Sequence, residues 1–513
     1  MTTRKLRTTV VATLIALTSV LAVSCRTAAP NPASSSSHGA DQAGADAPVI
    51  GKEETVETLQ AGPIQLKFKD GELRYLYVGN KEIVRRIFFA VRDGNWQTPM
   101  PVFSQCQIEK KPDSFKIALA ATCKSDTVDY AWTGEITGGA DGQIAFRVTG
   151  TPQKDFKSNR IGICVLYGAD ALVGQEFQTR SADGQTTAGK FPDLVTMNLV
   201  AKDYQSLTYT AADGPTVACS LAPILFTMED QRNYGDSSFK AYNSVLTGPD
   251  ALKGQAATVT ATLRVTGARL TPPAAGPVRI VLSKPLAGLR PPKLLPAAGV
   301  PKTGDFLSLD GKRNELKDQP EIAFGFKPST HLPDDDTFME NRAAIFWQLK
   351  TMHALAPTSR IRVALRLTDQ PDRRSSDLFA ASWAVGALRQ LARGHADEAS
   401  LAMETGPIDS LLEKFQAPET VLLNADVMAS GRAPVEVLAW RRNAQTTVLI
   451  ANSTATAQKI VLEGIPPAVR IAHGPLVSKT SSLAPSAAAP KDTLTADVAP
   501  YGIYGVVIDT AGP

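Results

Sequence analysis

From about residue 56 to 268 the chain alternates apolar and polar positions in short runs. "IQLKF", "LRYLYVGN", "IVRRIFFAV", "FKIALAA", "IAFRVTG" and "ATVTATLRVTG" are separated by turn signals. A two-residue period at this spacing predicts half-buried strands in an all-β sandwich. Trp96 and Trp132 fall at the ends of such runs and are expected to pack in its core. After the Pro-rich "RLTPPAAGP" the period changes. "EIAFGF" and "RIRVALRL" read as strands, and "DDTFMENRAAIFWQLKTMHAL" and "SDLFAASWAVGALRQLARGH" read as helices. "ASLAME" supplies a further strand, so strand and helix alternate as in a parallel βα unit. The remaining runs, "VEVLAWRR", "TTVLIANS", "KIVLEG" and "YGIYGVVID", return to β patterning.

The predicted organisation has three folded parts: an N-terminal β-sandwich over 56–275, a reduced βα-barrel-like domain over 276–425 and a small C-terminal β-sandwich over 426–513. A full eight-stranded βα barrel needs about 200–250 residues. The middle stretch is shorter, and its opening is rich in Pro, Gly and Lys, so it holds half a barrel.

Ahead of these parts, Arg4, Lys5 and Arg7 precede an apolar run from Thr8 to Val23 that ends in "LAVSC". A basic start, a short apolar stretch and small residues before a cut predict an export signal over 1–25. Cys25 stands where a bacterial lipoprotein is lipidated, with Ala22 in place of the more usual leucine. That reading puts the protein at the bacterial cell envelope, held to the membrane by its lipid. Cleavage by ordinary signal peptidase is the alternative. Residues 26–55, Ser-, Ala-, Gly- and Pro-rich, read as a flexible tether.

Composition adds exclusions. The 513 residues carry a formal charge of +4, without a basic run interleaved with aromatics, so nucleic acid is not an expected partner. Cys106, Cys123, Cys164 and Cys219 lie in no Cys/His ligand arrangement, which argues against zinc. Cys106 and Cys123 flank a hairpin-like segment and can either pair or remain thiols. No GxSxG elbow, HExxH, Walker loop or dinucleotide fingerprint is present, and neither cofactor nor metal is expected.

Several blocks in fixed order are similar to the D-apionate lactonase family. They are "RIFFAVRDGNWQT" (86–98), "GICVLYG" (162–168), "FTMEDQRNYGDSSFKAY" (226–242), "FGFKPSTHLPDDDTFMEN" (324–341) and "LFAASWAVGALRQLARG" leading to "METG" (403–406). The resemblance implies an N-terminal β domain, a TIM barrel, a C-terminal β domain and hydrolysis of a branched-sugar lactone. The family's first half-barrel has no counterpart between Leu289 and Glu321, and its absence removes part of the expected site.

Opening a lactone needs an activated water, a proton for the leaving alkoxide and donors for the oxyanion. Glu404, closing its strand, and His331, in a "PxxHxxDD" pattern like the family's, are the candidate catalytic residues. Each has an ordinary structural role as the alternative. Arg366, at another strand end, offers a forked donor for a sugar acid, or a salt bridge to Glu404 or to the 334–336 acids. Asp334, Asp335 and Asp336 read first as a helix N-cap rather than as a metal site, and Glu340 as a solvent-facing carboxylate of the same helix. Glu229, Asp230, Arg232 and Asn233, beside Tyr234 and Phe239, suit a sugar's hydroxyls and apolar face. The mixed charges equally suit a buried network that joins two domains, which is the preferred reading. His353, His395 and His473 are expected to be structural. The function expected is that of a carbohydrate-related, lactonase-like hydrolase with catalysis reduced or lost; the alternative is a binding protein for carbohydrate or protein.

Overall fold

A computed structural model describes residues 23–24 and 56–510, with breaks at 212–213, 244–247, 269–275, 287, 297–303, 329–333, 370–371, 376, 430 and 486–491. Cys25, the tether, His331 and the expected signal apart from residues 23–24 lie outside the described residues. The chain is mostly β, in several sheets.

Two antiparallel sheets packed face to face form the N-terminal part. One places the strands Glu57–Ala61, Ile64–Lys69, Glu72–Val78, Lys81–Asp93, Phe156–Gly168, Ser238–Asn243, Phe226–Asp230 and Ala201–Tyr204 side by side in that order. Its inner face carries Ile87, Phe89, Val91, Ile163 and Val165 into one core with Ile117, Trp132 and Val148 of the facing sheet. The strand Lys81–Asp93 is buried on both faces from Ile83 onward. Side chains alternate across a strand, so Arg86, Phe88, Ala90 and Arg92 project from the opposite face. There Phe88, Ala90, Cys164, Leu166 and Tyr242 make a separate small cluster. All four described cysteines are buried thiols. Cys106 stands opposite Leu119 while Cys123 stands opposite Pro101, a register that keeps the two apart.

Next comes a four-stranded parallel sheet. Its spatial order is Lys293–Leu295, Glu398–Leu401, Arg360–Leu365, Glu321–Phe326, so the first strand in the chain lies beside the last. The helix Asp377–Arg393 is buried nearly all round, through Ala380, Trp383, Ala384, Ala387, Leu388 and Leu391. A helix with apolar residues on every side needs cover on every side. Parallel strands cover one face, and Leu438, Trp440, Leu449 and Ala451 of the C-terminal sheet cover the other. Trp383 Nε1 donates to the Phe338 carbonyl at 2.9 Å, and Ser382 Oγ to that of Asn452 at 2.9 Å.

The single helix expected over 335–355 is broken into Asp335–Asn341 and Ala344–Leu355. At the break Arg342 turns inward and donates to Ser453 Oγ at 2.6 Å. Gly386 admits it, since a Cβ there would stand 2.4 Å from its Nε. Burial pulls the Arg342 guanidinium down to about 10.

The C-terminal part is a nine-stranded sheet curled around its own core of Ile280, Val437, Val448, Ile460 and Val506. The strand Val278–Pro285 belongs to it, antiparallel to Val421–Met428 and parallel to Gln458–Glu463. The chain therefore starts the C-terminal sheet before it makes the parallel one.

Candidate functional site

The C-terminal ends of the parallel strands hold some of the expected groups. Glu404 follows the strand Glu398–Leu401 by three residues, is exposed, and has its backbone N–H bonded to the Ser375 carbonyl at 2.9 Å. Arg366 pairs with neither Glu404 nor the 334–336 run. It meets Asp369 at 3.1 Å, and Lys327 bonds the same carboxylate. The hydrogen bond from Lys327 holds Asp369 below the usual carboxylate range. Asp335 takes Arg373 and Arg374, and Arg374 also takes Asp372. Among the described residues, Glu404 has no ion pair.

The three acids before the helix serve as expected at its N-terminus. Asp334 is the N-cap, accepting from the Thr337 N–H at 2.9 Å. Asp334 and Asp336 also reach across to the N-terminal sheet. Arg74 grips Asp334 with both terminal nitrogens, at 3.1 and 2.9 Å, and Lys69 bonds Asp336 at 2.9 Å. Glu340 does not face solvent. Its side chain is 8% exposed, and it accepts from Arg85 at 3.1 Å and from the Tyr75 hydroxyl at 3.2 Å. The arginines of a domain more than 250 residues away draw it inward, and nothing in the local helix pattern signals that. Burial alone would raise the Asp334 carboxyl, but Arg74 and Arg86 override it and hold it well below the usual range. For Asp336 burial is likewise overridden, by Lys69 and Arg74.

The block 229–233 forms a strand end and a tight 3₁₀ turn. Asp230 and Arg232 are both fully buried, joined at 2.9 and 2.7 Å. Asp230 also accepts the N–H groups of Arg232 and Thr196 at 3.1 Å each. Arg232 donates to the Pro192 carbonyl at 2.8 Å and lies over the rings of Phe239 and Trp347, the latter on the helix Ala344–Leu355. Gln348 of that helix donates to the Arg232 carbonyl at 2.8 Å. Gly235 follows at φ +82°, its Cα so close to Lys327 that a Cβ would stand 2.8 Å from that carbonyl. Asp230, Arg232 and the largely buried Asn233 thus sit in a joint between the N-terminal domain and the parallel unit. Glu229 reaches further out, accepting from the Tyr242 hydroxyl and from Gln231 Nε2 at 3.0 Å.

What the sequence reading missed is the outer face of the N-terminal sheet as a whole. Register puts Lys69, Arg74, Arg86, Arg92, Arg160 and Lys240 on it, with Glu72 and Glu229 as its acids. The half bearing Lys69, Arg74 and Arg86 is matched by Glu72, Asp334 and Asp336. The half bearing Arg92, Arg160 and Lys240 forms no ion pair with the helix acids among the described residues; Glu340, the helix acid nearest it, is taken by Arg85. Trp96, expected in the core, is instead 55% exposed beside this half, with the Arg160 guanidinium 5.5 Å from its ring. The available signal was the spacing Arg86, Phe88, Ala90, Arg92: period two, with charges on a strand whose other face is apolar.

Two outcomes follow. Arg232→Met strands a buried carboxylate and is expected to cost about 3–5 kcal/mol, read by urea unfolding at pH 7. A loss below about 1 kcal/mol would mean that the pair does not hold the joint. Asp334 and Asp336 have folded-state values below their unfolded ones, so their contribution is complete above the ordinary aspartate range near pH 4 and fades as pH falls below it. Asp334→Asn should lower the urea midpoint at pH 7 and flatten its fall between pH 4 and pH 2. An unchanged acid slope would remove Asp334 from the account.

Comparison with known proteins agrees with the resemblance of the blocks between 86 and 242. Residues 48–267 match the family described as D-apionate lactonase, N-terminal domain. A D-apionate lactonase of Brucella anthropi is 29% identical over 189 residues, which cover 36% of this chain and 30% of that protein. The match thus spans less than a third of that relative. Among solved structures, an α-galactosidase from Lactobacillus brevis aligns with 91% of this chain and 99% of its own at 10% identity, with a TM-score of 0.30. A family 30 endoxylanase from Clostridium papyrosolvens covers 42% of this chain and 58% of its own at 11% identity and a TM-score of 0.27. Scores this low carry no argument. The sequence match does: over residues 48–267 the chain is similar to the D-apionate lactonase N-terminal domain.

Proposed function

We propose that this protein is a carbohydrate-related envelope lipoprotein, derived from a sugar-lactone hydrolase and reduced in catalysis. The observation that carries the reading is the four-stranded parallel sheet with its first strand beside its last. A closed βα barrel has that adjacency where its last strand meets its first. Four consecutive strands removed from the middle would leave this arc.

The family's lactone chemistry would fall to Glu404 at a strand end and to His331, with Arg366 as a carboxylate or hydroxyl donor. Glu404 is exposed to bulk water, and Arg366 is already engaged by Asp369. An exposed carboxylate lacks the dry, preorganised surroundings that make a general acid or base effective. Glu229 remains a candidate for sugar hydroxyls, whereas Asp230 and Arg232 satisfy each other and serve the joint. Attachment through Cys25 rests on the basic start, the apolar run and the small residues before that cysteine.

The test is hydrolysis of aldonolactones by the soluble body, followed as acid release, in wild type, Glu404→Gln and His331→Ala. Equal, background-level rates in all three are expected. A wild-type rate about a hundredfold above either variant would overturn the reduced-catalysis reading. For the anchor, metabolic labelling with a fatty acid should mark the full chain and not Cys25→Ser; a label retained by the variant would refute it.

A further inference from the structure

Arg92 and Arg160 stand directly opposite each other on neighbouring antiparallel strands. Like charges in that position repel, and neither has an acidic partner among the described residues. Arg92 is 9% exposed, and its Nε has no hydrogen-bond partner. Lys240 is 4% exposed and makes its hydrogen bond to the neutral Gln231 amide at 3.2 Å. Arg160 lies flat on the Tyr242 ring, 3.3 Å from its centroid, and Lys240 Nζ is 5.5 Å from the same centroid. Of the nearby carboxylates, Glu229 is occupied by Tyr242 and Gln231, and the buried Asp236 accepts from Ser238 Oγ at 2.7 Å and is raised by burial to about 6. Burial and the neighbouring arginines bring the Lys240 ammonium down to about 8. Three cations therefore converge, none of them in an ion pair among the described residues. A buried charge left unpaired is costly, and it persists where a ligand or function compensates.

The space that Arg92 and Lys240 line with Arg85, Arg86, Asp236 and Glu340, the last already paired with Arg85, has room for about one water-sized group. Arg92 also lines an adjoining cleft walled by Thr98, Pro99 and Met100, the loop that follows Trp96. Trp96 itself is held in a conformation that bulky residues avoid, φ +68°. Asp93, 1% exposed, fixes the loop by accepting from the Asn95 and Gln97 N–H groups at 2.8 and 2.9 Å and from Thr127 Oγ1 at 2.7 Å. Strain of this kind, kept in place by its surroundings, is a mark of sites that present a side chain.

We propose that Arg92, Lys240 and Arg160 form a carboxylate site that, with the exposed ring of Trp96, binds the uronic-acid residue of an acidic saccharide. The deep space suits a carboxylate oxygen, and Trp96 offers a flat face to the C–H side of a pyranose ring. The assignment rests on the carbohydrate reading above and is independent of catalysis at the parallel strand ends.

The experiment titrates the folded soluble body with methyl glucuronide, matched methyl glucoside and sodium chloride at constant ionic strength, reading tryptophan fluorescence and melting temperature. The glucuronide alone should give a saturable change. Arg92→Gln and Lys240→Gln should each weaken it by about tenfold or more, and Trp96→Phe should remove the fluorescence response. Arg92→Gln should also melt no lower than wild type without ligand, because it removes an unpaired buried cation. An equal response to the neutral glucoside, an equal response to chloride, no saturable response, or full binding by both Gln variants would each overturn the proposal. Lactone hydrolysis bears only on the reading above, so the two stand or fall separately.

Discussion

The two-pronged bond between Arg74 and Asp334 is the contact on which the arrangement of the domains depends. The outer face of the N-terminal sheet is cationic and largely buried, so it needs negative charge brought to it. The helix Asp335–Asn341 and its N-cap bring that charge, presenting Asp334, Asp336 and Glu340 to Arg74, Lys69 and Arg85. The N-cap geometry that starts the helix also aims its first acid at the sheet. A buried ion pair contributes little net stability compared with an apolar contact of the same shape, but breaking one is severe. The junction therefore fixes where the parallel unit sits more than how stable the whole is.

The same face explains the block at 226–242. Its Asp230–Arg232 pair closes the far side of the joint against Trp347 and Gln348, while Lys240, Tyr242 and Glu229 continue onto the open half of the sheet. One stretch of sequence thus serves both as a domain clamp and as the edge of a cationic cleft. The run "EDQRN" is dense in charge because it must neutralise itself in a place that water does not reach.

The strand and helix pattern was largely legible because period two and period 3.6 are local properties. The parallel sheet followed from the alternation, and the N-cap at Asp334 from three acids before an apolar run. Long-range contacts were not legible. Glu340 looked like a solvent carboxylate because its neighbours in the helix gave no hint of Arg85 and Tyr75. Trp96 looked like core because strand-end tryptophans usually are; its exposure follows from a left-handed turn held by the Asp93 side chain. The strand Val278–Pro285 pairs with strands more than 130 residues away, a partnership that no window over the Pro-rich linker contains.

The central claim, that charge complementarity between the helix acids and the N-terminal sheet seats the parallel unit, is tested most directly by a double-mutant cycle on Arg74→Met and Asp334→Asn. The cycle is read as unfolding free energy at pH 7. The account predicts a coupling of about 1–3 kcal/mol, with the double variant recovering part of what each single variant loses. Additive losses with a coupling within about 0.3 kcal/mol of zero would contradict it.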